Sequence, residues 1–142
     1  MQVTVEEVVN QSDFAICMAI RMEVFVFEQE VPADIEWDAF DRTSTHFFAR
    51  ADGKPVATAR LRDEKGIAKI ERMAVRRDYR GQGVGDALLN AVMDHAKTKN
   101  FTKARISAQD HAIAFYEKLG FVVLGEGYME AGIPHHAMER DL

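Results

Sequence analysis

Arg80-Gly81-Gln82-Gly83-Val84-Gly85 stands between two stretches of different periodicity. Ahead of it, Ile67-Ala68-Lys69-Ile70-Glu71-Arg72-Met73-Ala74-Val75 reads as a strand. Behind it, Val84, Ala87, Leu88, Ala91, Val92 and Ala96 recur at helical spacing, so a helix begins within the glycines. A strand, a glycine loop and a helix N-terminus together offer backbone N–H groups to an anion. Glycine also lets the chain come close to a ligand and take turns that a Cβ would block. The stretch predicts a phosphate cradle.

Two common cradles do not fit. A Walker loop needs a Gly-Lys-Ser/Thr ending, which is absent, and the dinucleotide pattern needs glycine where the chain has Asp86. Arg80 to Gly85 does read Arg-x-x-Gly-x-Gly, which resembles the acyl-CoA pyrophosphate loop of the GCN5-related N-acetyltransferases (GNAT). Met73-Ala74-Val75 before the loop, Gln109 after the next strand, and Phe115-Tyr116 with Leu119-Gly120-Phe121 follow that family's pattern in the same order. The resemblance is strongest over residues 45–125, and residues 28–46 with Gly132-Ile133-Pro134-His135 resemble a small bacterial subgroup.

Pattern reading along the chain predicts the fold. Val3 to Val9 is a strand, and Ser12 caps a helix carrying Ile16, Ile20, Val24 and Phe27, which Pro32 stops. His46–Ala51 and Pro55–Leu61 form a hairpin, and a turn at Asp63-Glu64-Lys65-Gly66 leads into the strand ending at Val75. After the glycine loop and its helix come a strand over Lys103–Ala108 and a helix capped by Asp110. Short strands over Phe121–Leu124 and Ala137–Arg140 close the chain. The order β-α-β-β-β-α-β-α-β-β has no tandem βαβ units. With the resemblance, it implies one α/β domain over residues 1–142, a mixed, mostly antiparallel twisted sheet flanked by helices.

Composition narrows the function. A length of 142 residues with 47% hydrophobic and 29% charged side chains suits one globular domain. A net charge of −5 argues against a nucleic-acid partner. No apolar run reaches the roughly 20 residues that span a membrane, and no secretory signal opens the chain, which points to a cytoplasmic protein. Cys17, the single cysteine, is read as packing. Acidic residues crowd 28–41 without a Lys or Arg, whereas 69–80 carries Lys69, Arg72, Arg76, Arg77 and Arg80, suited to an anionic ligand.

The resemblance implies direct acetyl transfer from acetyl-CoA to the primary amine of a small molecule or peptide, without an acyl-enzyme; no metal-ligand spacing among His135, His136 and the acidic segment supports a metal. Arg80, Gly81, Gln82, Gly83, Val84 and Gly85 then hold the pyrophosphate, Met73, Ala74 and Val75 receive the pantetheine and thioester, and Gln109, Phe115 and Tyr116 line the same cleft. By its match to the family position, Tyr116 is the expected acid toward the departing thiolate. An alkyl ammonium has a pKa of about 10, so a base is also needed. Glu71 is the leading candidate, because strand alternation places it on one face with Met73 and Val75. His46, His135 and His136 rank below it. His135 follows Gly-Ile-Pro, a shaped loop that could border the acceptor.

Arg21, Phe25, Trp37, Asp38, Asp41 and Arg60 also resemble the N-terminal signature of acyl-homoserine-lactone synthases, which share the core but lack the full Arg-x-x-Gly-x-Gly loop. That likeness brings alternatives: a longer acyl-CoA or carrier-borne donor, besides a non-catalytic acetyl-CoA-binding module. Arg21 and Arg60 either bind an acceptor carboxylate or pair with Asp38 and Asp41, and pairing is favoured because buried arginines rarely stand alone. With Glu28, His46 and His135 they complete the predicted acceptor side. The acidic segment suits a cationic amine and free arginines would add a carboxylate, which together describe a zwitterion. A homodimer through the C-terminal strands is compatible with the family.

Overall fold

A computed structural model describes residues 1–142. Its seven strands form one sheet in the order β1-β2-β3-β4-β5-β7-β6. β1 (Val3–Glu7), β2 (Thr45–Ala51), β3 (Lys54–Glu64) and β4 (Ile67–Val75) are antiparallel neighbours. Two-residue turns join β2 to β3 at Asp52-Gly53 and β3 to β4 at Lys65-Gly66. All four turn residues have positive φ, matching the twist of the flanking strands. Both hairpins were legible from these turn residues.

α1 (Gln11–Arg21) starts earlier than the Ser12 cap predicts. Asn10 has the extended backbone of a cap, and its side chain accepts from the Asp13 N–H at 2.8 Å. The helix then widens into a π-helical segment over Met22–Glu28. Its extra backbone atoms per turn rotate the later side chains. Ile20 and Val24 remain buried, while Phe27, expected on the apolar face, is 76% exposed. The acidic stretch beyond Pro32 folds as α2 (Ala33–Glu36) and a 3₁₀ turn at Ala39–Arg42.

One layer of core lies between the sheet and α3 (Val84–Thr98), where Leu88, Leu89, Val92 and Ala96 meet Phe47, Ala57, Leu61, Ile70 and Ile106. The other face carries α1, with Ile20 and Val24 on Ala74. Cys17, fully buried there, donates to the Phe47 carbonyl at 3.6 Å, and burial pushes its thiol up.

Two features of the sheet shape the site. Arg60 pairs with Glu71 but Thr58 with Ala74, so two β4 residues oppose one on β3, and Arg72 takes φ +52. This bulge resets the alternation of β4. Met73 and Val75 rejoin the α3 side with Ala68 and Ile70, whereas Ala74 turns to α1. The second is the only parallel pairing, β4 with β5 (Lys103–Gln109), which consists of Ala68↔Ala104, Lys69↔Arg105 and Ile70↔Ile106. Both strands continue past that joint without pairing to each other, so the sheet splits into a cleft.

The last hairpin is longer than expected: β6 (Val122–Glu130) and β7 (Ile133–Asp141), joined at Ala131-Gly132. The strand expected to end at Leu124 continues through Gly125-Glu126-Gly127, with a register shift between Leu124 and Tyr128. His135 therefore lies in a strand and not in a shaped loop. Asp110 opens a 3₁₀ turn before α4 (Ile113–Lys118) and, instead of capping, bonds His136 at 2.7 Å.

Candidate active site

The glycine loop meets the open end of β4 by close packing. Gly83 holds φ +84 with nothing within 4 Å of a Cβ, so its requirement is conformational, and it sits at the N-cap of α3. Gly85 has the opposite need: a Cβ would lie 3.2 Å from the Phe115 ring and 3.7 Å from Met73 Cε. Met73 from β4, Gly85 from α3 and Phe115 with Tyr116 from α4 thus converge at the cleft. The Tyr116 hydroxyl is 3.8 Å from Met73 Sδ, and its ring stands edge-on to Phe115 and Phe121. Burial pushes that hydroxyl up to about 12, which keeps it a proton donor at any ordinary pH.

Arg80 spans two elements. Its Nε donates to the Val75 carbonyl at 2.8 Å, and its Nη2 donates to Glu28 Oε1 at 2.9 Å. Glu28, expected on the acceptor side, is thereby tied to the glycine loop, and Arg80 holds its carboxyl below the usual range. Gln82 folds back, its Nε2 donating to the Asp78 carbonyl at 2.9 Å. Lys54, Arg76 and Arg77 line an adjoining cavity of about 520 Å³.

Across the mouth of the cleft, Gln29 and Gln109 exchange two amide hydrogen bonds, of 2.9 and 3.3 Å. His111 Nε2 reaches the same Gln109 Oε1 at 2.6 Å. On the α1 side of the sheet, β5 presents Ser107 and Gln109, with His135 paired opposite Gln109 and Tyr128 opposite His135. Tyr128 OH meets Ser107 Oγ, its ring stacks on His135, and Glu130 Oε2 lies 3.5 Å from both Ser107 Oγ and His135 Nε2. Sequence reading missed Gln29, which reaches Gln109 from the end of the π-helical segment, and Ser107, Tyr128 and Glu130, which become neighbours only through the full length of β6.

The structure separates several residues that the sequence placed together. Glu71 does not share a face with Met73 and Val75, because the Arg72 bulge turns them to opposite sides. Both Glu71 oxygens accept from arginines, Oε2 from Arg60 and Oε1 from Arg62. Arg21 and Arg60 are each 1% exposed or less. Arg21 donates to Glu36 at 2.8 Å and Asp41 at 2.6 Å, while Arg60 donates to Asp38 at 2.7 Å, to Asp41 at 2.9 Å and to Glu71. Arg72 closes the lattice on Glu36 and Asp38, both at 3.1 Å. Neither buried arginine is left to read an acceptor carboxylate. The lattice instead clamps α2 and the 3₁₀ turn onto the sheet, and it accounts for most of the lactone-synthase-like signature.

Burial alone would raise the Asp41 carboxyl, but N–H groups of Arg21, Asp38 and Arg60 outweigh it and bring it down to about 2. Burial likewise opposes the charge on Arg60, which Asp38, Glu71 and Asp41 restore and raise further. His46 is buried behind this lattice with Nε2 on the Asp41 carbonyl at 2.8 Å, and burial pushes its imidazole down. It lies away from the cleft and does not join His135. No three His, Cys, Asp or Glu side chains are grouped to hold a metal ion, and no helix is long and apolar enough to cross a membrane.

Comparison with known proteins agrees with this geometry. The Acetyltransferase (GNAT) domain model matches residues 6–142. YjcF of Bacillus subtilis, described as an uncharacterized N-acetyltransferase, is 36% identical over 133 residues, covering 93% of this chain and 95% of its own. A Lactobacillus plantarum protein provisionally described as an N-acetyltransferase superposes with a TM-score of 0.92 at 29% identity, covering 100% of this chain and 99% of its own. An acyl-CoA N-acyltransferase from Pseudomonas aeruginosa does so at 0.85 and 33%, over 98% of both chains.

Proposed function

Because the chain belongs to the GNAT acetyltransferase family, we propose that it moves the acetyl group of acetyl-CoA directly to a primary amine of a small molecule or peptide. The observation that carries this reading is the convergence of Met73, Gly85, Phe115 and Tyr116 where β4 and β5 part, beside the Arg80–Gly85 loop.

Each part of the cleft has a chemical task. The N–H groups at the start of α3 and the helix dipole favour the negative pyrophosphate. The β4 edge beyond Ile70 lacks a β5 partner, so its backbone groups are available to the amide groups of pantetheine. A backbone N–H near Met73 to Val75 stabilises the oxyanion that forms when the amine attacks the thioester carbonyl. The C–S bond then breaks, and Tyr116 gives its proton to the departing thiolate.

On the acceptor side, Gln109 and Gln29 bound the mouth of the cleft, and Glu28 acts on the loop through Arg80. Glu71, with both oxygens taken by arginines, is assigned to orienting Arg60 and Arg62. With Arg21 and Arg60 enclosed, neither is free for an acceptor carboxylate; Glu36, Asp38 and Asp41 are taken by the same arginines, and the exposed carboxylate of Glu130 beside His135 favours a cationic amine.

Calorimetric titration with acetyl-CoA and a transfer assay over a panel of amines test this reading. Micromolar binding and amine-dependent release of CoA are expected. Tyr116→Phe should lower kcat by about 100-fold while acetyl-CoA affinity stays within about twofold. A wild-type protein that binds no acetyl-CoA overturns the proposal.

A further inference from the structure

We propose that His135 is the base that accepts the acceptor's proton, and that Glu130 is the carboxylate on which the acceptor ammonium docks. The assignment rests on the acetyl-transfer reading and gives its acceptor side specific residues.

The imidazole is held in one tautomer. His135 Nδ1 is 2.6 Å from the Ile133 carbonyl, and a carbonyl can only accept, so Nδ1 carries the hydrogen. The lone pair is then on Nε2, which faces Glu130 Oε2 at 3.5 Å. The ring is 5% exposed and stacked on Tyr128, so it cannot turn freely to exchange its nitrogens. Glu130, its side chain 55% exposed, is the charged group facing Nε2. Tyr128 from β6, and Ser107 and Gln109 from β5, are neutral, and His111 touches Gln109. The His136–Asp110 pair lies on the opposite face of β7.

The location suits the task. His135 pairs with Gln109, the last residue of β5, where that strand has parted from β4. A base there serves an amine entering from the α1 side toward a thioester at the end of β4. Glu71 cannot serve in its place, since arginine N–H groups occupy both its oxygens.

Protons balance through the transfer. The ammonium R–NH3+ rests on Glu130 and gives one proton to His135 Nε2, leaving R–NH2 and an imidazolium. Nε2–H of that imidazolium now donates to Glu130, and Nδ1–H still donates to Ile133. The amine lone pair forms the C–N bond, and the C–S bond breaks. Tyr116 gives its proton to the thiolate, the second nitrogen proton restores the Tyr116 hydroxyl, and His135 returns its own to solvent. The sum is amine cation plus thioester giving amide, thiol and one released proton.

Kinetics with the best amine of the panel test the assignment. His135→Gln should lower kcat by at least about 100-fold, keep acetyl-CoA affinity within about twofold, and remove the limb of the kcat pH profile that rises with base deprotonation. Glu130→Gln, at an exposed position, should chiefly raise KM for the amine. Nitrogen-15 spectra of the wild-type imidazoles add a measurement that needs neither variant nor turnover, with His135 expected as the Nδ1–H tautomer. A folded His135→Gln protein that turns over within about threefold of wild type, or an Nε2–H tautomer, overturns the assignment and leaves acetyl transfer standing. A wild-type protein that binds acetyl-CoA yet acetylates no amine counts against the transfer reading itself.

Discussion

Glu28 at the end of the π-helical segment and Arg80 at the start of the glycine loop bind each other across 52 residues of sequence, with Arg80 Nη2 donating to Glu28 Oε1 at 2.9 Å. The contact joins the π-helical segment to the loop proposed for the pyrophosphate. On the proposed assignment, a pyrophosphate there would compete with Glu28 for the same guanidinium.

Glu28→Gln should therefore tighten acetyl-CoA binding. The pair is partly exposed, and such ion pairs contribute up to about 1 kcal/mol, a factor of about five in affinity. Calorimetry on the variant should find a Kd lower by about twofold to fivefold. A weaker Kd means instead that Glu28 holds Arg80 in its ligand-ready position.

The two inner glycines of the loop should respond differently to alanine. Gly83→Ala forces a Cβ onto a left-handed residue with open space around it, costing about 1 kcal/mol of stability through backbone strain. Gly85→Ala meets no such strain but presses on Phe115 and Met73, so acetyl-CoA affinity falls severalfold while the melting temperature changes little. Thermal melts paired with calorimetry separate the two; a Gly83→Ala protein as stable as wild type refutes the strain.

Acid should unfold the protein in two stages. The His46 imidazole is pushed below 6.5 in the folded chain, so below that pH the unfolded chain binds more protons and stability begins to fall. The Asp41 carboxyl sits at about 2 instead of 3.8, so its contribution is whole above about pH 4 and is lost as pH drops toward 2. That second loss amounts to about 2 kcal/mol. Urea midpoints measured from pH 8 to 2 should show both declines, and His46→Gln should abolish only the first.

Much of the fold could be read from local chemistry. The turns at Asp52-Gly53 and Lys65-Gly66 and the switch of periodicity at Arg80–Gly85 announce themselves in residue type. Arg72 does not. An arginine at positive φ has no composition signal, and the slip it causes moves Glu71 away from Met73 and Val75. The π-helical widening that exposes Phe27 is equally silent, since no residue type in Met22–Glu28 marks it. Pairing of Arg21 and Arg60 with acids followed from the cost of a lone buried charge, yet Glu36 and Glu71 joined through contacts that no spacing encodes. The Tyr128–Glu130–His135 group stayed hidden because β6 continues through Gly125 and Gly127, past the end at Leu124 that the pattern predicts.

Those glycines also govern how the molecule behaves in a crowd. β6 is an open edge, exposed along all nine residues and bearing Val122, Val123, Leu124, Tyr128 and Met129. A long, flat edge of that kind invites foreign strands to add and aggregation to follow. The kink at Gly125, with φ +65, cuts the edge into Val122–Leu124 and Tyr128–Glu130, two ladders of three paired residues each. The irregularity that brings Tyr128 and Glu130 over β5 thus also deprives an intruding strand of a straight template.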